Sequence, residues 1–260
     1  MSICSSFSLE GKVALVTGGS GKYGRQITKA LVEAGARTYI SSRRRDQLSA
    51  IENEFRSEGC SIRALYMEQE DEASILAMRD EIVSTEGRFD ILVNNAVART
   101  MSGWDDSAES FARSMTANAT GLFLITRAFG DVMAEQGSGS IINIGSIQGM
   151  IGPDGQLYEG LDFHGFVPDY FFHKGGMINF TRFAAAYYGP RQVRCNCISP
   201  GGFWTERTPE EFVKRYSART FLNRMAGESD LMGAVIFLAS DASLYITGTN
   251  LPVDGGYTAK

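Results

Sequence analysis

Short apolar runs alternate along this chain with longer stretches in which apolar positions recur every third or fourth residue. KVALVT (12–17) passes through a glycine-rich turn into GRQITKALVEAG (24–35), whose spacing is helical and whose end is marked by Gly35. RTYISS (37–42) precedes RRRDQLSAIENEFRSEG, and SIRALYM (61–67) precedes DEASILAMRDEIVSTEG. FDILVNN (89–95), SIINIG (140–145), VRCNCIS (193–199) and NLPV (250–253) continue the series. Strands that alternate with helices in this way predict an α/β fold. The expected architecture is a doubly wound, parallel, seven-stranded sheet with helices on both faces, Rossmann-like, and a ligand crevice at the C-terminal ends of the strands. No linker, repeat or low-complexity run divides residues 1–260, which predicts a single domain.

Composition narrows the function classes. A net charge of −5 and a pI of about 5.2 leave no overall basic surface for nucleic acid or for an anionic membrane. The N-terminus lacks a basic region followed by a long apolar run, and no stretch has the length of a membrane span, so a cytoplasmic protein is expected. Of the four cysteines, Cys195 and Cys197 lie two apart in one strand. With only His164 and His173 as histidines, no spaced set completes a metal site, and buried free thiols are expected instead.

Two stretches carry candidate chemistry. After the first strand, Gly19, Gly21 and Gly24 satisfy G-x-G-x-x-G between a strand and a helix. There, glycines let the backbone approach a pyrophosphate and the helix N-terminus offers unpaired N–H groups. In YFFHK (170–174), Tyr170 and Lys174 are four residues apart and share one helical face, whereas His173 lies off it and reads as a packing or surface residue.

With Thr17-Gly18 and Gly24 of the turn, NNA (94–96), NATG (118–121), NIGS (143–146), Tyr170-x-x-x-Lys174, SPGG (199–202) and VDGG (253–256), the chain closely resembles the short-chain dehydrogenase/reductase family along nearly its whole length. The resemblance implies that Tyr170 is a general acid/base supported by Lys174, Ser146 and Asn118. A phenol titrates near pH 10, and a neighbouring ammonium and a charged nicotinamide are expected to lower it. It also implies a dinucleotide held by Gly18, Ser20, Gly21, Lys22, Tyr23 and Gly24 of the turn, and by Ser42 and Arg43 after the second strand. Glu68 and Gln69 follow the third strand, and Asn95, Ala96 and Val97 the fourth. Tyr170 and Lys174 belong to the same set, with Pro200, Gly201, Phe203 and Thr205 after the sixth strand. Three positions depart from the family pattern: Lys22, where a glycine is usual; Val97, where a glycine follows NNA; and Glu68, where an aspartate is common.

The second strand ends without a carboxylate and runs into Arg43-Arg44-Arg45. An acid there would bind ribose hydroxyls and repel a 2′-phosphate, so NADP is expected over NAD. Three cations at a helix start also oppose the helix dipole unless an anion is bound. The substrate is expected to be a small polar molecule, sugar-like or a polyol, with faint similarity to members from bacterial sugar and nonulosonate pathways. Ser146 and Tyr170 lie 24 positions apart, more than is usual for the family, so 149–168 is expected to be an insertion at the site mouth, and the aromatic and charged segment 203–227 is expected to form a lid. Two other readings stay open. One is a 3-oxoacyl carrier-protein reductase that receives an acidic carrier on Lys214, Arg215, Arg219 and Arg224; the other is a dinucleotide-binding sensor without turnover. A homotetramer or homodimer is implied by the resemblance.

Overall fold

The computed structural model describes residues 2–162 and 165–260. Phe163 and His164, within the expected 149–168 insertion, lie outside the described residues. Seven strands form one parallel sheet: β1 (Val13–Thr17), β2 (Arg37–Ser42), β3 (Ile62–Tyr66), β4 (Ile91–Asn94), β5 (Gly139–Ile144), β6 (Val193–Pro200) and β7 (Asn250–Val253). Their order is β3-β2-β1-β4-β5-β6-β7, as the alternation of runs predicts for a doubly wound sheet. The order reverses between β1 and β4, the place at which a doubly wound sheet offers a ligand crevice beyond its strand ends.

Why the strands read as continuous apolar runs is clear from their two faces. Ala14, Val16, Ile91, Val93 and Ile142 point to one side and pack with Ile27 and Leu31 of α1 (Lys22–Glu33) and Phe55 of α2 (Leu48–Ser57). Val13, Leu15, Leu92 and Ile141 point to the other. They meet Ile75 and Ile82 of α3 (Glu72–Glu86), Phe129 and Met133 of α5 (Gly121–Gln136), and Tyr188 of α6 (Pro168–Tyr188). Alternate residues therefore feed two separate cores. Burying each such side chain stabilises the fold by about 1.5–3 kcal/mol before chain entropy is counted. Between α4 (Ala108–Met115) and α5 the chain makes a π turn at Thr116–Thr120, in which the Gly121 N–H reaches back to the carbonyl of Thr116.

A smaller third cluster joins the two regions expected to be insertion and lid. Leu157 and Ile147 pack with Phe212 and Tyr216 of α7 (Glu210–Ser217) and with Met225. Arg215 donates to the carbonyls of Gln156 and Glu159, and Arg219 pairs with Asp154. The segment expected to be a lid is tied at its two ends, where Trp204 N–H donates to Ala226 O and Ala226 N–H to Gly202 O, both at 2.9 Å. Before β7, α8 (Met232–Ala239) returns the chain to the first core through Val235 and Leu238.

Candidate active site

A cavity of about 730 Å³ runs along the C-terminal ends of the strands. Its dinucleotide-like end begins at the glycine turn. Gly18 has φ +62°, and a Cβ there would lie 3.1 Å from Ala96 Cα, so only glycine lets the β1 and β4 loops touch. Thr17 Oγ1 accepts from the N–H groups of Asn95 and Ala96, and Asn95 Nδ2 donates to the carbonyls of Thr17 and Gly18, all at 3.0 Å. These bonds hold the two loops open as one rigid edge.

Most of the anticipated residues line this cavity. Gly18, Ser20, Gly21, Lys22, Tyr23 and Gly24 come from the turn, with Ser42 and Arg43 beyond β2 and Glu68 and Gln69 beyond β3. Asn95, Ala96 and Val97 follow β4. Pro200, Gly201 and Phe203 follow β6, and Tyr23 fixes that loop by donating to Gly201 O at 2.8 Å. Thr205 is not among the lining residues; its N–H and hydroxyl are engaged by the Thr208 hydroxyl at 3.1 Å. The arginine run departs from expectation. α2 begins at Leu48, so Arg43 and Arg44 lie in the connecting loop and not on the first turn of a helix. The helix-dipole argument for an anion therefore lapses. Arg43 and Arg44 nevertheless line the cavity, while Arg45 stacks its guanidinium 3.5 Å from the Tyr66 ring centroid.

Ser146, Tyr170 and Lys174 meet at the other end. Lys174 is fully buried and donates from Nζ to Ile144 O at 2.5 Å. That ammonium sits 5.6 Å from the Tyr170 ring centroid. Ser146 lies two residues beyond the acceptor, with its hydroxyl in reach of the Tyr170 phenol. α6 approaches so closely here that a Cβ on Gly149 would sit 2.6 Å from the Lys174 backbone. Burial pulls the Lys174 ammonium down to about 8, with Cys197 opposing and Arg99 reinforcing the shift. Tyr170 behaves otherwise than a simple ammonium–phenol pair would. Burial pushes its phenol above the ordinary value, against the Ser146 hydrogen bond and the Arg99 charge, so desolvation and not the ammonium dominates.

Asn118 stands behind the cavity, in the π turn. Its Oδ1 accepts from Ala98 N–H and its Nδ2 donates to Ala98 O, both at 2.8 Å, and to Ser114 Oγ at 3.1 Å. Ser114 in turn donates to the buried carboxylate of Asp169, the residue before Tyr170. Sequence reasoning did not single out Ser114, Asp169 or Arg99. Arg99 has its guanidinium 5.6 Å from the Tyr170 ring centroid and lines the same cavity with Gln148 and Tyr158. Its only signal in the chain is its place just past NNA, at the end of a strand beside the reversal of strand order. The basic patch considered for an acidic carrier is largely spent within the chain. Arg215 pairs with Glu211, Arg219 with Asp154 and Arg224 with Asp230.

A family model described as enoyl-(acyl carrier protein) reductase matches residues 23–258. Galactitol 2-dehydrogenase (L-tagatose-forming) of Cereibacter sphaeroides is 32% identical over 97% of this chain and 97% of its own. D-threitol dehydrogenase of Mycolicibacterium smegmatis is 32% identical over 100% of this chain and 98% of its own. The crystal structure of a gluconate 5-dehydrogenase from Burkholderia cenocepacia J2315, in complex with NADP and tartrate, superimposes with a TM-score of 0.87. It has 30% identity and covers 98% of each chain.

His173 is buried against Tyr170, ring centroids 5.2 Å apart, and neither ring nitrogen has a hydrogen-bond partner among the described residues. Burial, with the Lys174 and Arg99 charges, holds its pKa down at about 3 against an ordinary 6.5. Between those values the unfolded chain binds a proton that the folded chain lacks. Stability from this group is therefore lost as pH falls below about 6.5 and is unaffected above it. His173→Phe, which keeps an aromatic ring on Tyr170, is expected to flatten the acid limb of stability by about one proton, up to about 1.4 kcal/mol per pH unit. Urea unfolding of both proteins across mildly acidic to neutral pH measures this; parallel curves would show that His173 is not held neutral.

Proposed function

The chain belongs to the short-chain dehydrogenase/reductase family, and from that premise we propose an NADP-preferring oxidoreductase that interconverts a secondary alcohol and a ketone on a small polar, sugar-like or polyol substrate. The observation that carries this reading is the meeting of Tyr170, Ser146 and buried Lys174 in the cavity that the glycine turn opens. A pure dinucleotide binder would have no use for a phenol and a hydroxyl facing each other beside a buried ammonium.

The residues fit a dinucleotide. Gly18 and Gly24 leave backbone bare where a side chain would collide, and Lys22, Arg43 and Arg44 put cations along the same wall. Lys22 has its pKa pulled down by burial and by the charges of Arg99 and Arg207, so an anion beside it would relieve that repulsion. These groups would hold the phosphates, with Lys174 at the nicotinamide ribose. NADP, when bound, accepts or returns the hydride of the carbinol carbon.

The chain's own residues manage the oxygen and its proton. Ser146 donates a hydrogen bond to the substrate oxygen and fixes its distance from the phenol. In oxidation Tyr170, as phenolate, takes the hydroxyl proton; in reduction the phenol returns it. Because burial opposes the phenolate, the surrounding cations determine how much of it exists at neutral pH, and Lys174 and Arg99 are those the chain supplies. Asn118 acts at one remove, by clamping Ala98 and the loop after β4.

The insertion around 149–168 and the lid around 203–227 close over the substrate half. Among the described residues no helix is long and apolar enough to cross a membrane. Phe123 on α5 and Phe183 and Tyr187 on α6 are exposed, an apolar face suited to pairing helices in a homotetramer or homodimer.

Tyr170→Phe is expected to lower turnover by at least about a hundredfold while dinucleotide affinity stays within a few-fold, because only the proton-exchanging hydroxyl is lost. Substantial activity in the purified variant would refute the assignment. Arg43→Ala is expected to weaken NADPH by roughly ten- to a hundredfold, the range of a lost charge-assisted hydrogen bond, and to leave NADH nearly unchanged. Fluorescence titration with both cofactors decides, and equal affinities in the unmodified protein would overturn NADP preference. Light scattering should give a mass that is a multiple of 28.4 kDa; a single-chain mass at working concentration contradicts the oligomer.

A further inference from the structure

The substrate half of the cavity is electrostatically one-sided. Its carboxylates, Glu68 and Glu70, both lie beyond β3 at the far end from Tyr170. Around Tyr170 the described lining residues include Ser146, Gln148, Tyr158 and the cation Arg99, whose charge also reaches Lys22 from the glycine turn. Asp154, whose charge reaches Tyr158, is already paired with Arg219. Arg99 itself makes no hydrogen bond or ion pair to any described residue, and its guanidinium faces the Tyr170 ring.

An unpaired arginine on a surface loop would carry no argument by itself. This one is mounted on a rigid support. Ala98, immediately before it, has both backbone polar groups held by the Asn118 amide at 2.8 Å. Thr100, immediately after it, donates from its hydroxyl to Ser110 O at 2.8 Å. Asn118 is braced by Ser114, and Ser114 by the buried Asp169 on the helix that carries Tyr170. One connected set of hydrogen bonds thus fixes the Arg99 backbone relative to the phenol, while its guanidinium stays available.

We propose that Arg99 is the anchor for an oxyanion on the substrate, so that the alcohol or ketone is borne by a short hydroxy or keto acid or a sugar phosphate and not by a neutral polyol. This deepens, and rests on, the oxidoreductase reading given above. A guanidinium fork recognises a carboxylate or phosphate through paired hydrogen bonds, a stronger and more directional contact than any neutral hydroxyl affords. With the anion on Arg99 and the reacting oxygen between Ser146 and Tyr170, the two ends of the substrate fix its orientation. Arg99 is exposed at the mouth of the cavity, where a neutral polyol would offer its guanidinium only hydroxyl contacts and an oxyanion the paired, charge-assisted ones.

The test is calorimetric binding to the NADP⁺-saturated protein, together with turnover. Aldonates of increasing chain length, the matching neutral alditols and the matching alditol phosphates are compared on wild type, Arg99→Met and Arg99→Lys. The expected result is that one anionic series binds at least about tenfold more tightly than the alditols. That preference should vanish in Arg99→Met and return in part in Arg99→Lys, as for loss and partial rescue of a charge-assisted contact. The tighter series identifies carboxylate or phosphate. Equal binding of anions and alditols, no binding of either anion, or a preference unchanged in Arg99→Met overturns the proposal. Turnover separates the two readings. Tyr170-dependent oxidation of neutral alcohols without anion preference refutes the anchor alone, whereas Arg99-dependent anion binding without turnover refutes the oxidoreductase reading and leaves the anchor standing.

Discussion

The buried ammonium of Lys174 is the constraint on which the site depends. Removing such a group from water costs several kcal/mol unless a partner compensates, and the partner here is the Ile144 carbonyl at the end of β5. One bond therefore ties α6 to the strand end. The rest of the geometry follows from periodicity. One turn toward the helix N-terminus lies Tyr170, and two residues past the acceptor lies Ser146, so the phenol and the hydroxyl are brought together by an attachment neither of them makes. Gly149 completes the arrangement, because any side chain there would push α6 away from the turn after β5.

Charge is distributed against the global balance. The molecule carries −5 overall, yet Lys22, Arg43, Arg44, Arg99 and Lys174 line one cavity whose carboxylates, among the described residues, are Glu68 and Glu70. Such segregation in a low-dielectric cleft focuses the field and favours anionic ligands. It also acts on the phenol, although burial outweighs it there. Burial opposes ionisation, the cations promote it, and any anion that enters shifts the result.

Much of the fold was legible in the sequence because parallel strands covered on both faces are buried throughout and read as short runs rich in apolar residues. Val13–Thr17 does so and, less purely, Val193–Pro200 with its buried Arg194, Asn196 and Ser199. Tyr170 and Lys174 were legible because i, i+4 spacing is local information. What escaped was set by long-range contacts. Arg99 has no motif of its own; it matters because β4 lies beside β1 and because α6 folds over the loop end. Asp169 and Ser114 are 55 positions apart and acquire meaning only when α4 packs on α6. The arginines after β2 were placed at a helix start because a helical stretch follows them, but Arg45 turns aside to stack on Tyr66 and α2 starts three residues later.

The two ends of the cavity are built by different means. The end at the glycine turn is made of strand ends and tight turns knitted by bonds between side chain and backbone, as at Thr17 and Asn95. The end at Tyr170 is flanked by the small cluster of Leu157, Phe212, Tyr216 and Met225, which is separate from the two main cores. Lys174 ties α6 to the end of β5 there. Arg99 stands between Ala98, held by Asn118 of the π turn, and Thr100, held by Ser110 of α4, so the wall around the phenol is set by contacts among α6, β5, the π turn and α4.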